Sequence, residues 1–284
     1  MIHELPLEQR TLHGHFSRDL DPVLTIDPGD SVRIAVPNAG WYLDSREQLA
    51  SRDPSIDTGH ALAGPIEVRG ARVGQTLAVR IDEVQPGPWG WTGTEPPHEL
   101  LWELEGGIGR VGEITVALRP FLGVLGMPPP EPGVHSTTPP RPWGGNIDCK
   151  ELVAGATLFL PIPVDGARFS AGDGHALQGD GEVSGTAIEC PARAQLTIDV
   201  RDDLELEWPI ARIDGAWLSF GFDPHLGRAA RIAVDGMLSL MQREHGLSAS
   251  DALALASVTV DLRVTQVVNE SLGVHCVLRD DAWS

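Results

Sequence analysis

The chain has 284 residues, 42% of them hydrophobic, with 40 acidic and 21 basic side chains and a net charge of −19. That apolar content supports a packed core and excludes a disordered chain. The charge excludes nucleic acid as a partner and disfavours an anionic membrane surface.

The N-terminus, "MIHELPLEQRTLHGH", has no apolar signal-peptide core. No apolar run reaches the roughly 18 residues that span a bilayer, so the expected location is the cytoplasm. Residues 23–36, "VLTIDPGDSVRIAV", read as two strands around a Pro-Gly-Asp turn. Leu77, Val79 and Ile81 alternate within a strand over 75–84. Residues 156–164, "ATLFLPIPV", form another, whose prolines suit an edge or a strand end. Residues 86–97 and 126–145 are rich in proline and glycine and read as ordered, irregular loops. A helix is expected with Asp223 as its N-cap and Pro224 in its first turn, ending at Gly246, with a second opening at Ser248. Val258, Val260, Leu262 and Val264 then alternate as a closing strand. Late helices after many strands predict an α+β, β-dominated fold in one domain over 1–284, with helices near 224–257. Entwined β-rich sub-domains are the variant of that reading.

Three segments carry chemistry. "GDGHALQGDGE" (172–182) places His175, Asp180 and Glu182 around glycine turns. Imidazole and carboxylate suit zinc and similar ions, while an acidic surface loop with Asx turns explains the same pattern. "RPWGGNIDCKEL" (141–152) alternates Asn146, Asp148 and Lys150 on one face of an extended chain. Ile147, Cys149 and Glu151 face the other way. Amide, carboxylate and ammonium together suit chemistry on a polarised carbonyl. Lys150 is the one lysine among the 21 basic residues. "TLHGHFSRDL" holds His13 and His15 two apart, a modest metal signal, and His60 is a fourth candidate. Trp41, Trp89, Trp91 and Trp143 are candidates for an apolar pocket or for core. Cys149, Cys190 and Cys276 make no disulfide framework. There is no nucleophile elbow, zinc-protease helix motif, P-loop or CxxC.

Five segments in order resemble the acetamidase/formamidase family of amide hydrolases. They are "LHGHFSRDLDPVLTIDPGD", "HALAGPIEVRGARVGQTLAVRI", "ALRPFLGVLGMPP", "PPRPWGGNIDCKEL" and "GDGHALQGDGEVSGTAIE". The resemblance implies hydrolysis of a short amide to carboxylate and ammonia, the family's β-rich fold, a homodimer or higher homo-oligomer, and a divalent metal. Zinc is the first expectation and calcium the second. His13, Asp148, His175, Glu182, Asn146, Lys150 and His60 fall in the signature segments. By residue chemistry, His13, Asp148 and His175 would hold the ion. Glu182 would move the proton, and Lys150 or Asn146 would hold the oxyanion. His15, His60 and Asp180 are additional candidates. Asn38 stands where many relatives carry an acid. Two other readings remain at this stage: a metal-free amidase in which Lys150 activates a carboxylate or Cys149, and a β-rich small-molecule-binding protein that has lost amidase activity.

Overall fold

The structure is a computed structural model and describes residues 1–94 and 97–283. Strands dominate it, and they form two sheets. The nine-stranded sheet runs, edge to edge, Ile2–Leu5, Asp30–Val36, Ala192–Arg201, Thr76–Pro86, Thr157–Pro161, Ile210–Ile213, Ala216–Asp223, Leu272–Arg279 and Val260–Gln266. The eleven-stranded sheet runs Ile114–Ala117, Ile108–Val111, His98–Glu105, Trp89–Thr94, Glu189–Cys190, Phe169–His175, Phe121–Gly126 and Gly144–Asn146. Leu62–Val68 pairs with Phe169–His175, and Leu12–His13 and Leu24–Ile26 pair with Leu62–Val68.

Period-two alternation drives the sheets together. In Asp30–Val36, the side chains of Val32, Ile34 and Val36 are buried in turn, and Arg33 between them is exposed. These residues share one core with Ala63, Ile66, Leu122, Leu125 and Phe169 of the other sheet. Helix α1 (Leu226–His245) covers the outer face of the nine-stranded sheet. Its Ala229, Ala233, Met237 and Met241 recur at helical spacing and pack with Phe159, Ile210, Val274 and Leu278. Helix α2 (Ala249–Thr259) follows, with Ser248 accepting the Asp251 N–H at its start. No helix among the described residues is long and apolar enough to cross a membrane.

Some sequence expectations are met with an added detail and others are corrected. Leu24–Ile26 and Asp30–Val36 flank the expected turn but do not pair. The first joins Leu62–Val68 in parallel and the second enters the other sheet, so the turn crosses between layers. Thr157–Pro161 is an interior strand, with Pro161 at its end. The expected loop over 86–97 contains the strand Trp89–Thr94, because its prolines flank the strand rather than interrupt it. Glu95 and Pro96 of that loop lie outside the described residues. Asp223 ends a strand, and its Oδ1 accepts the His225 N–H at 2.7 Å just before α1. Gly246 does end α1, in the left-handed conformation (φ 65°). Val258 belongs to α2 and is exposed, so the closing strand starts at Val260.

Helix α1 seats on Gly221. A Cβ there would lie 2.1 Å from the Ala229 carbonyl oxygen and 2.6 Å from the Ala233 nitrogen, both helix backbone. Gly221→Ala is expected to lift the helix and cost ~3 kcal/mol, at the upper end of overpacking effects. Chemical denaturation of the purified variant checks this.

Candidate functional site

The site forms in the middle of the eleven-stranded sheet. Asp173 and His175 sit two apart at the end of Phe169–His175, and Glu189 pairs with His175 across the strand Glu189–Cys190. Asp148 arrives from the turn after Gly144–Asn146, and Glu182 from the turn after Gly179. Two groups of possible metal donors share the imidazole: Asp148, His175 and Glu182, and Asp173, His175 and Glu189. In each group the donor atoms lie within 4.8 Å of one another. His175 Nε2 stands 3.3 Å from both Asp173 Oδ2 and Glu189 Oε2.

The side chains of all five residues are nearly removed from water. A cavity of about 190 Å³ lies beside them, lined by His60, Trp91, Asn146, Asp173, Glu182 and Asn269 among others. Asp148 Oδ1, Asp173 Oδ1, Glu182 Oε2, Glu189 Oε2 and Asn146 Oδ1 have no hydrogen-bond partner. Buried oxygens without partners are costly. Five in one place fit a site that receives a cation and a hydrogen-bonding ligand.

Local backbone holds them there. Asp148 (φ 53°), Asp173 (φ 62°), Glu182 (φ 44°) and Asn269 (φ 66°) are all left-handed. Such conformations are strained for these residues and persist only where the surroundings impose them. Gly123 makes the room. A Cβ there would lie 2.5 Å from Asp173 Oδ2, 2.6 Å from Asp148 Oδ1 and 2.8 Å from His175 Cε1. Gln178 links two of the groups: its Oε1 accepts from His175 Nδ1 at 3.0 Å, and its Nε2 donates to the Asp148 carbonyl at 2.7 Å. Asn269 Nδ2 donates to Asp148 Oδ2 at 2.7 Å. With Nδ1 donating to Gln178, His175 Nε2 faces two carboxylates.

Charge crowding sets the proton affinities. Burial raises the Glu182 carboxyl to about 7, and Glu189 and Asp173 push it the same way. Burial, then Glu182, holds Asp148 well above the usual carboxylate range. Burial raises Glu189 as well. Burial opposes charge on His175, but Glu189 and Asp173 overcome it and hold the imidazolium well above its ordinary range. Burial also opposes ionisation of Asp173, yet His175 and His60 keep it ionised below the usual range. His175 Nε2 is therefore a place for a positive charge, whether a proton or a metal.

The structure brings Asn146, Asp148, His175, Glu182 and His60 to this place. His60 lines the cavity, with Nε2 4.0 Å from Asp173 Oδ2 and Nδ1 2.8 Å from Thr137 Oγ1. His13 does not join. Its Nδ1 bonds the His15 carbonyl and its Nε2 bonds Ser170 Oγ, and burial lowers its pKa to about 4. His15 pairs with Asp57 at 2.8 Å. Neither histidine belongs to a donor group among the described residues.

Lys150 also stands apart. The left-handed turn at Asp148 breaks the alternation that would have aligned it with Asn146 and Asp148. Lys150 Nζ instead meets Asp180 Oδ1 at 3.1 Å, and Asp180 Oδ2 receives Arg263 Nε at 3.0 Å. Gly181 N–H donates to the Thr265 carbonyl, and Val267 N–H donates to the Gly181 carbonyl. Asp180 and Lys150 therefore clamp the turn that presents Glu182. Cys149 is buried beside Glu151 and does not line the cavity. Asn38 Oδ1 accepts from the Gly40 and Tyr42 N–H groups, a turn-capping role. Of the four tryptophans, Trp91 lines the cavity.

Sequence reasoning missed Asp173, Glu189, Gly123, Gln178 and Asn269. Asp173 was open to discovery, since it shares a strand face with His175. Glu189 and Gly123 fall inside the signature segments, but neither spacing nor residue pattern marks them.

The model of the acetamidase/formamidase family matches residues 3–101 and 132–215, well over half of the sequence. The chain belongs to the acetamidase/formamidase family. An acetamidase of Mycolicibacterium smegmatis is 25% identical over 248 residues, covering 61% of this chain and 61% of that protein. The chain thus spans about three fifths of the length of the curated relatives it matches. The crystal structure of an acetamidase from Yersinia enterocolitica superposes with a TM-score of 0.89 at 26% identity, covering 100% of this chain and 94% of that one. An acetamidase from Bacillus halodurans gives 0.87 at 26% identity, covering 98% and 97%. The β-dominated fold of this family member is that of these structures.

Gly123→Ala is expected to push Asp173, Asp148 and His175 apart and to lower stability by ~1–3 kcal/mol, read as a fall in Tm. Arg263→Met is expected to loosen the Asp180 clamp. Amide exchange at Gly181 should then speed up by a factor of ~5–10, with strand-centre amides unchanged.

Proposed function

We propose that the chain hydrolyses a short, uncharged amide to the carboxylate and ammonia with the help of a divalent ion, zinc before calcium. The observation that carries this reading is the set of five unpartnered buried oxygens around His175 and one small cavity. The donors fit such an ion: one imidazole nitrogen and several carboxylate oxygens, with His175 Nε2 3.3 Å from two of them. His175, Asp173 and Glu189 would hold it. When bound, it would supply Lewis acidity to the amide carbonyl and lower the pKa of water.

The remaining groups divide the other work. Glu182 and Asp148 are crowded, buried carboxyls with raised proton affinity, so the pair keeps a proton near neutrality. Glu182 would accept a proton from the attacking water and return it to the leaving nitrogen. Asn146 Oδ1, unpartnered at the cavity, accepts a hydrogen bond from the substrate amide N–H. Trp91 supplies an apolar wall, and about 190 Å³ leaves room for a short acyl group. Lys150 is assigned to the clamp rather than to the oxyanion.

Ammonia release from formamide, acetamide and propionamide, with metal analysis of the same preparation, tests this. Glu182→Gln is expected to lower kcat by ~10²–10⁴ while metal content stays at the wild-type level. Removing the metal with chelator should abolish turnover, and adding the ion back should restore it. Full activity in either the variant or the demetallated protein would refute the reading.

A further inference from the structure

A second cluster lies beyond the Asp180 clamp, apart from the cavity. Cys149, Glu151 and His275 are all buried, and their donor atoms lie within 4.8 Å of one another. Cys149 Sγ is 3.3 Å from Glu151 Oε2, and Glu151 Oε2 is 3.7 Å from His275 Nε2. Tetrahedral zinc with one sulfur, one nitrogen and one oxygen ligand sets its donors about 3.3–3.6 Å apart. The Cys149–Glu151 and Glu151–His275 separations already stand near that spacing.

His275 carries the argument. It is fully buried, and its Nε2 has no hydrogen-bond partner. Its Nδ1 is paired with Thr265 Oγ1 at 2.8 Å. When the Thr265 hydroxyl accepts from Nδ1–H, Nε2 carries a lone pair 3.7 Å from Glu151 Oε2, an arrangement that a cation between them relieves. Arg263 Nη1 holds the other oxygen, Glu151 Oε1, at 2.8 Å, as an outer-shell partner orients a ligating carboxylate. The neighbouring Lys150 and Arg263 charges are answered by Asp180. A thiolate and a carboxylate would balance a divalent ion.

We infer that Cys149, Glu151 and His275 form a second, structural site for a zinc-type divalent cation, separate from the site around His175. Binding releases the Cys149 thiol proton to solvent. The ion joins the turn that presents Asp148 to the strand Leu272–Arg279, so its role is to fix the frame and not to touch substrate. This inference stands whether or not the chain hydrolyses amides.

Cobalt tests it without reference to activity. The full chain is expressed in minimal medium with cobalt as the added divalent metal and purified without chelator. The donors around His175 are nitrogen and oxygen, and Cys190 and Cys276 belong to neither donor group. A thiolate-to-cobalt charge-transfer band in the near ultraviolet therefore reports the second site. The expected result is a band in the wild-type chain, kept in Glu182→Gln and lost in Cys149→Ser, with metal content falling by one ion per chain in the latter. His275→Gln provides an independent check if Cys149→Ser fails to fold, and it too must lose the band. A cobalt-loaded wild-type chain without the band overturns the inference, as does a band that survives Cys149→Ser.

Discussion

The structure turns on confining four carboxyl groups, Asp148, Asp173, Glu182 and Glu189, around one buried imidazole. Each carboxyl alone would resist burial as an anion. Together they repel one another, and the molecule accommodates them by raising the proton affinities of Asp148, Glu182 and Glu189 and by offering His175 Nε2 as a seat for positive charge that keeps Asp173 ionised. The cluster is unsatisfied by the protein's own hydrogen bonds.

The fold supplies what that crowding needs. Central strands make the floor, with Phe169–His175 paired to Phe121–Gly126 and to Leu62–Val68. The side chains are then brought to the floor by turns with left-handed residues at Asp148, Glu182 and Asn269. Gly123 gives up its side chain so that two carboxylates and a ring can meet over it. Gln178 and Asn269 lock the orientation of His175 and Asp148. Farther out, Asp180, Lys150 and Arg263 hold the Glu182 turn by charge rather than by apolar packing. Fixed supports of this kind allow strained residues to keep one geometry.

The two buried polar clusters share a segment but differ in character. Residues 146–151 send Asn146 to the cavity, Asp148 to the carboxyl cluster beside it, and Cys149 and Glu151 to a buried region with His275. The first cluster borders space that a small molecule can enter, whereas the second has apolar neighbours such as Phe220. One short stretch of sequence therefore contributes to both clusters.

The sequence by itself determined the dominance of strands, the late helices with their caps at Ser248 and Gly246, and the candidacy of Asn146, Asp148, His175 and Glu182. These follow from local periodicity, turn chemistry and residue type, which act over a few positions. The ordered signature segments added the family. Only the tertiary structure decided that Asp173 and Glu189 join the site, that Gly123 must be bare, that His13 bonds Ser170 instead, and that Lys150 answers Asp180. Those outcomes depend on strand order and on left-handed turns that reverse an expected alternation. The reason is physical: a side chain's partner is set by which strands lie side by side, and strand neighbours are chosen by burial of the whole core.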